Sequence, residues 1–216
     1  SGNDLVISGT VGGDAASGDT VTVTIGGTNY TTTVNADNTT FSVTVPAAAV
    51  GSLSDGNATA SVTGTDNAGN SFTANATRAY TVDTTASATI SINTIAGDDI
   101  INATEAGNDL IISGTVGGDA ASGDTVTVTI GGTNYTTTVN ADNTTFSVTV
   151  PAAAVGSLTD GNATASVTGT DNAGNSFTAN ATRAYTVDTT ASATIAINTI
   201  AGDDIINATE AGNDLI

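Results

Sequence analysis

Residues 20–45 read TVTVTIGGTNYTTTVNADNTTFSVTV, and residues 125–150 repeat them letter for letter. Thr and aliphatic residues alternate through Thr20–Ile25, the period of two that turns one face of a strand to a core and the other to water. Tyr30–Val34 and Phe41–Val45 carry the same signal. Between the first two runs, Gly26-Gly27-Thr28-Asn29 supplies the residues of a hairpin turn. Further along, Ala58–Thr63 and Ala79–Val82 also read as strands, and Pro46 ends the strand before it. Ala47–Val50 suits one helical turn, but no segment sustains a 3.6-residue period.

The duplication extends beyond this stretch. Gly2-Asn3-Asp4-Leu5 returns as Gly107-Asn108-Asp109-Leu110, a period of 105 residues. The two copies differ only at Ser1/Ala106, Val6/Ile111, Ser54/Thr159 and Ser91/Ala196, and a third begins at Ala211. Such likeness implies recent duplication, or recombination that keeps the copies alike, and predicts a longer array. A period of this length suits one compact domain rather than a solenoid repeat of about 20–50 residues.

A complete module is expected over 84–188, with strands at 88–95, 109–116, 124–130, 134–140, 145–150, 162–169 and 177–187. Short antiparallel strands separated by turn signals predict an all-β fold of tandem immunoglobulin-like sandwiches set end to end. In that frame residues 1–83 form a first module without its own opening strand. Residues 189–216 begin a third, with an opening strand and the loop after it. The two incomplete pieces predict that segment 189–216 of one molecule completes the first module of another in a crystal. In solution the chain is expected to be a monomer whose partners are neighbouring modules of the same chain. The core candidates are Ile90, Ile92, Leu110, Ile112, Val126, Val128, Ile130, Tyr135, Phe146, Val148, Val167, Phe177, Tyr185 and Val187.

Charge restricts function. Against 21 acidic residues stand two arginines, Arg78 and Arg183, with no lysine or histidine. Nothing can neutralise a nucleic-acid backbone, and an anionic membrane surface would repel the chain. The natural partner is a cation. With no cysteine there is no disulfide, so a secreted domain needs another staple. No apolar run is long enough to span a membrane as a helix. The absence of His, Cys and Lys leaves no ordinary base or nucleophile, no substrate cleft is suggested, and no enzyme activity is expected.

Three acidic groups recur in each period. The first is the loop Gly97-Asp98-Asp99-Ile-Ile-Asn102-Ala-Thr-Glu105, repeated with Asp203, Asp204, Asn207 and Glu210. Its clustered carboxylates and amide suit Ca2+, which takes six to eight oxygen ligands. Asn102…Glu105 equally fits a capping box, and the two readings are compatible. The second is Asp66-Asn67-Ala68-Gly69-Asn70, repeated from Asp171, which reads either as a tight turn or as an ion ligand. The third is Val82-Asp83-Thr84-Thr85, repeated at Asp188, where one module gives way to the next. In an immunoglobulin-type sandwich the loop between the last two strands faces the preceding module. Asp171 is therefore expected to approach Asp83, with Asp119 and Asp124 at the same end. Carboxylates gathered there repel unless a cation joins them. A Ca2+ ion would then fix the angle at a short Thr-Thr linker.

The string Tyr80-Thr-Val-Asp-Thr-Thr-Ala86, the Asp98–Glu105 loop and the Asp66–Asn70 turn together resemble the immunoglobulin-like extender repeats of giant RTX adhesins. The likeness is greatest to the tandem type found in marine bacterial adhesins, including an ice-binding one. It implies a calcium-stiffened stalk, exported by type I secretion and held at the outer membrane through other parts of the full protein, that projects distal adhesive domains. It also implies Ca2+ at module ends and linkers. One departure is Ala86-Ser87, where many relatives have Ala-Pro, which leaves more of the linker's stiffness to the ion. The competing reading is a module that binds a sugar or host protein. Uniform repetition and the lack of an aromatic platform favour the spacer.

Overall fold

The alternation in TVTVTI becomes a strand in both copies, with every aliphatic side chain of Thr20–Ile25 and Thr125–Ile130 buried and the threonines outside the core. The computed structural model describes residues 2–212. It divides into two compact units that part between Thr84 and Thr85.

In the first unit the strands are β1 (Leu5–Thr10), β2 (Thr20–Ile25), β3 (Thr28–Thr33), β4 (Thr40–Val45), β5 (Gly56–Thr65) and β6 (Ser71–Tyr80). One helical turn, α1 (Ala47–Val50), follows Pro46. The sheets are β3-β2-β5-β6 and β1-β4, all antiparallel.

The second unit repeats this plan and adds to it. Its strands are β7 (Ala88–Ile92), β8 (Ile100–Asn102), β9 (Leu110–Gly118), β10 (Thr125–Ile130), β11 (Thr133–Thr138), β12 (Thr145–Val150), β13 (Gly161–Thr170) and β14 (Ser176–Asp188), with the turn α2 (Ala152–Val155). Here the sheets are β11-β10-β13-β14-β8 and β12-β9-β7. Gly131 and Gly132 turn the β10–β11 hairpin at φ of 56° and 76°, a left-handed region that side chains disfavour.

The expected opening strand over 88–95 is shorter than read, and the chain then changes sheets. It leaves β9 after Ile92, crosses over, and adds β8 to the other sheet in parallel with β14. A three-residue strand shows no alternation, so β8 does not stand out in the sequence; the module has eight strands, one pairing parallel. The crossing fills the core: Ile95 is 1 % exposed and Ile101 is fully buried. Of the core candidates, Ile90, Tyr135, Val148 and Val187 are only partly buried at its margin, and the others lie within it. Each fully buried Ile, Val or Phe contributes about 1.5–3 kcal/mol, and the thin aromatic content is offset by many small aliphatic ones.

Candidate functional site

The acidic residues act first on their own backbone. All ten acids of 84–188 accept at least one main-chain N–H, at 2.7–3.2 Å. Most of these bonds satisfy N–H groups of turns and loops, while those from Ile100, Asn102 and Val187 serve strand residues at a sheet edge or end. Asp109, for example, accepts from Ala152 at 2.8 Å and starts α2, while Asp160 accepts from Val187 at 2.7 Å. Asp142 closes the turn before β12 through Thr144, Thr145 and the Thr145 hydroxyl, which chiefly holds its carboxyl below the ordinary range. Sequence reasoning does not single out Asp109, Asp142 or Asp160; their signal is only an Asp beside a turn.

In the Gly97–Glu105 loop, Asn102 and Glu105 close on each other. Asn102 N–H donates to Glu105 Oε2 at 3.0 Å and Glu105 N–H donates to Asn102 Oδ1 at 3.1 Å. This is the reciprocal pattern of a capping box, placed at the 3-10 turn Glu105–Gly107. Asp98 accepts from Ile100 N–H at 3.0 Å. Asp99, at φ 67°, points the other way. It accepts from Ile95 N–H and takes both Nε and Nη2 of Arg183, at 2.6 and 2.5 Å. Arg183 also donates to Ile92 O, so it clamps the crossing segment onto β14. This fork is the one ion pair among the described residues. Sequence reasoning missed Arg183 because the two partners lie 84 residues apart.

The Arg183 hydrogen bonds, ahead of the Ile95 amide, lower Asp99 to about 2 from an ordinary 3.8. A lowered value in the folded state stabilises above the unfolded value and is lost as pH falls through the folded one. Acid titration from pH 4 to about 2 is therefore expected to weaken the second unit. In Asp99→Asn the slope of stability against pH should shrink by about one proton over that window. An unchanged slope in the variant would show that the fork does not govern it.

At the end of the second unit where β7 begins, Asp119 and Ser87 exchange two bonds. Ser87 N–H donates to Asp119 Oδ2 and Asp119 N–H to Ser87 O, both at 2.7 Å. Asp124 lies at the same end, against Gly169 and Phe177. Asp171 closes its own turn, accepting from Ala173, Asn175 and the Asn175 amide, which lowers its pKa. Asp66 does the same with Ala68 and Asn70. Asp188 ends β14 and accepts from Thr190, while Asp83 follows β6 at the end of the first unit. In the final segment Asp203, Asp204, Asn207 and Glu210 repeat the loop's local bonds.

The donors are all hard oxygens, with no imidazole or thiolate, a set that suits Ca2+ over transition metals. Among the described residues, no three acidic side chains converge on one metal-sized point. No helix of the described residues is long and apolar enough to cross a membrane.

Comparison with known proteins agrees with the fold. No family model and no curated protein matches the chain. Solved structures do. A 1.5-MDa bacterial ice-binding adhesin, studied for host cell surface retention, matches at 42% identity over 99% of this chain and 67% of that one, with a TM-score of 0.82. A Ca2+-stabilized adhesin that helps an Antarctic bacterium reach out and bind ice matches at 42% identity and a TM-score of 0.66. It covers 99% of this chain, which spans 51% of that one.

Proposed function

This chain belongs to the immunoglobulin-like extender repeats of large bacterial adhesins, a structural spacer, and from that membership we propose that Ca2+ bound at its module ends and linkers stiffens it into a stalk. One observation carries the reading: 21 acids face two arginines, with every potential donor an oxygen. Such a surface gains rigidity when a divalent ion joins its carboxylates and repels itself when none is present. The Ca2+-stabilized relative supports the same chemistry. The proposed ligands are Asp98, Asn102 and Glu105 in the loop, Asp119, Asp124 and Asp171 at the opposite end, and Asp83 and Asp188 at the linkers. Asp99 is left out, since its carboxylate holds Arg183.

The proposed folding unit is 84–188, out of phase with the copied unit, because β7 and β8 seat on β9 and β14. The stalk is exported and stands outside the cell, carrying adhesive domains beyond it. An ion present at a hundred times its dissociation constant adds about 2.7 kcal/mol to the folded state. A domain of this size then melts roughly 10 °C or more higher. Chelation is therefore expected to lower the melting temperature by that order and to make the tandem more compact or bent in solution scattering. Matching profiles and melting curves with and without chelator would refute the calcium reading.

A further inference from the structure

In each unit the second strand of the double-glycine hairpin is the edge of its sheet: β3 in β3-β2-β5-β6 and β11 in β11-β10-β13-β14-β8. Two glycines at positive φ make each hairpin a two-residue turn, which the pairs Ile25–Thr28 and Ile130–Thr133 close with hydrogen bonds. Bonding then alternates along the strand. Thr133, Tyr135 and Thr137 bond to β10, so the main-chain N–H and C=O of Asn134, Thr136 and Thr138 point away from it. Among the described residues, no main-chain bond from outside the sheet reaches those three, nor Asn29, Thr31 and Thr33 in β3.

A free edge is a template for another strand, and proteins ordinarily blunt it with a charge, a proline, a bulge or a cover. This edge carries none of them. Thr133–Thr138 contains no charged residue and no proline, and its register with β10 runs unbroken over all 6 residues. Asn134, Thr136 and Thr138 are exposed. The opposite edge of the same sheet, β8, is by contrast only 3 residues long.

Charge decides what can lie there. The strands of 84–188 carry no acid except Asp188 at the end of β14; the other acids sit in loops and turns. Across four strands, the row through the middle of this edge is Thr136, Thr127, Ser166 and Asn180, and the rows beside it hold only Thr and Asn. In a chain of net charge -19, two copies can meet on such a surface without opposing carboxylates. The edge also matches itself. With Thr136 opposite Thr136 of a second copy, Asn134 meets Thr138 and Thr138 meets Asn134, and each pair is of the kind that exchanges both main-chain bonds. Thr opposite Thr is a favourable cross-strand pair.

We infer that β3 and β11 are sites of lateral pairing between copies of this chain, edge to edge and antiparallel, centred on Thr31 or Thr136. β3 repeats β11 residue for residue, so either edge takes either. The contact is twofold and closes on itself, one partner to an edge. It uses the side of a sandwich and main-chain groups, so it is compatible with a longer array and independent of the proposed Ca2+. A strand of 6 residues is well short of the roughly 20–30 residues a side of a stable interface, and the dilute chain remains a monomer. Because the same edge recurs with every 105-residue copy, weak contacts add when arrays lie side by side.

Sedimentation of the purified 216-residue chain from micromolar to millimolar concentration tests this. Mass is expected to rise at the upper end, with or without chelator. Thr31→Pro together with Thr136→Pro removes the central outward N–H of each edge but no bond to β2 or β10. Losing both central bonds of a pair should weaken association about tenfold or more. Thr31→Lys with Thr136→Lys, and separately Thr31→Glu with Thr136→Glu, set like charges across the twofold and should each weaken it a few-fold. Mixing the two charged chains should restore association, because Lys then faces Glu; both stay strongly acidic, so net charge cannot supply the recovery. If circular dichroism shows that the proline chain has lost its sandwich, the charge mixture alone decides. A parent chain that stays monomeric at millimolar concentration, a folded proline chain that associates as the parent does, or a mixture no tighter than either charged chain would each overturn the assignment.

Discussion

In the Gly114→Ala variant the strand Ala88–Ile92 is expected to leave its sheet. The added Cβ would lie 1.9 Å from Ser91 O and 2.5 Å from the Phe146 ring. The ring can tilt, but a main-chain oxygen moves only if the strand moves with it. Ile92 then loses its place in the core, and the bonds between β7 and β9 go with it. The cost is expected to reach about 3 kcal/mol or more, the upper end of overpacking. The chain supplies its own control. Gly9 occupies the same position in the first unit, and a Cβ there meets only Phe41 at 2.6 Å. Gly9→Ala should therefore cost clearly less in dilute solution. Hydrogen exchange in a urea series can tell the units apart, because peptides spanning Ser54 or Thr159 differ in mass in both variants. Equal losses in the two variants would mean that β7 does not sit against Gly114 as described.

Ile101→Ala is the second large effect. Its side chain is fully enclosed, in the segment that crosses between the sheets. Truncating a buried isoleucine costs about 2–5 kcal/mol, depending on how far the surroundings collapse into the cavity. Ile206 holds the same place in the next copy and is 53 % exposed. Ile206→Ala should stay within about 0.5 kcal/mol for the dilute chain. One substitution in two identical sequence contexts thus separates packing from propensity. If both variants melt alike, the burial of Ile101 is not what secures the second unit.

Much of the sandwich was legible because alternation is a local signal. TVTVTI states which side chains face inward, and the double glycine states where the chain reverses. The acids were less legible. Asp171 and Asp66 read as turn residues or ligands alike, and the structure shows both closing turns. The sequence displays Asp98, Asp99, Asn102 and Glu105 as one group, but the fold sends Asp99 to Arg183 and closes Asn102 on Glu105. Neighbours in sequence parted because side chains of successive residues point to different sides of a loop that bends at positive φ.

The repeat marks the division plainly. Asn207 and Glu210 make the same pair of bonds as Asn102 and Glu105, although one loop sits on a sheet and the other joins none. Bonds that close within three residues need little chain ordering, so the amino-acid order alone sets them. The strand pattern, the turns and the acidic surface belong to that class. The burial of Ile101, the parallel strand β8 and the Asp99–Arg183 fork do not. Each needs a partner from a distant part of the chain, brought near only when two sheets pack around a common core. Identical residues therefore lie buried in one copy and exposed in the other.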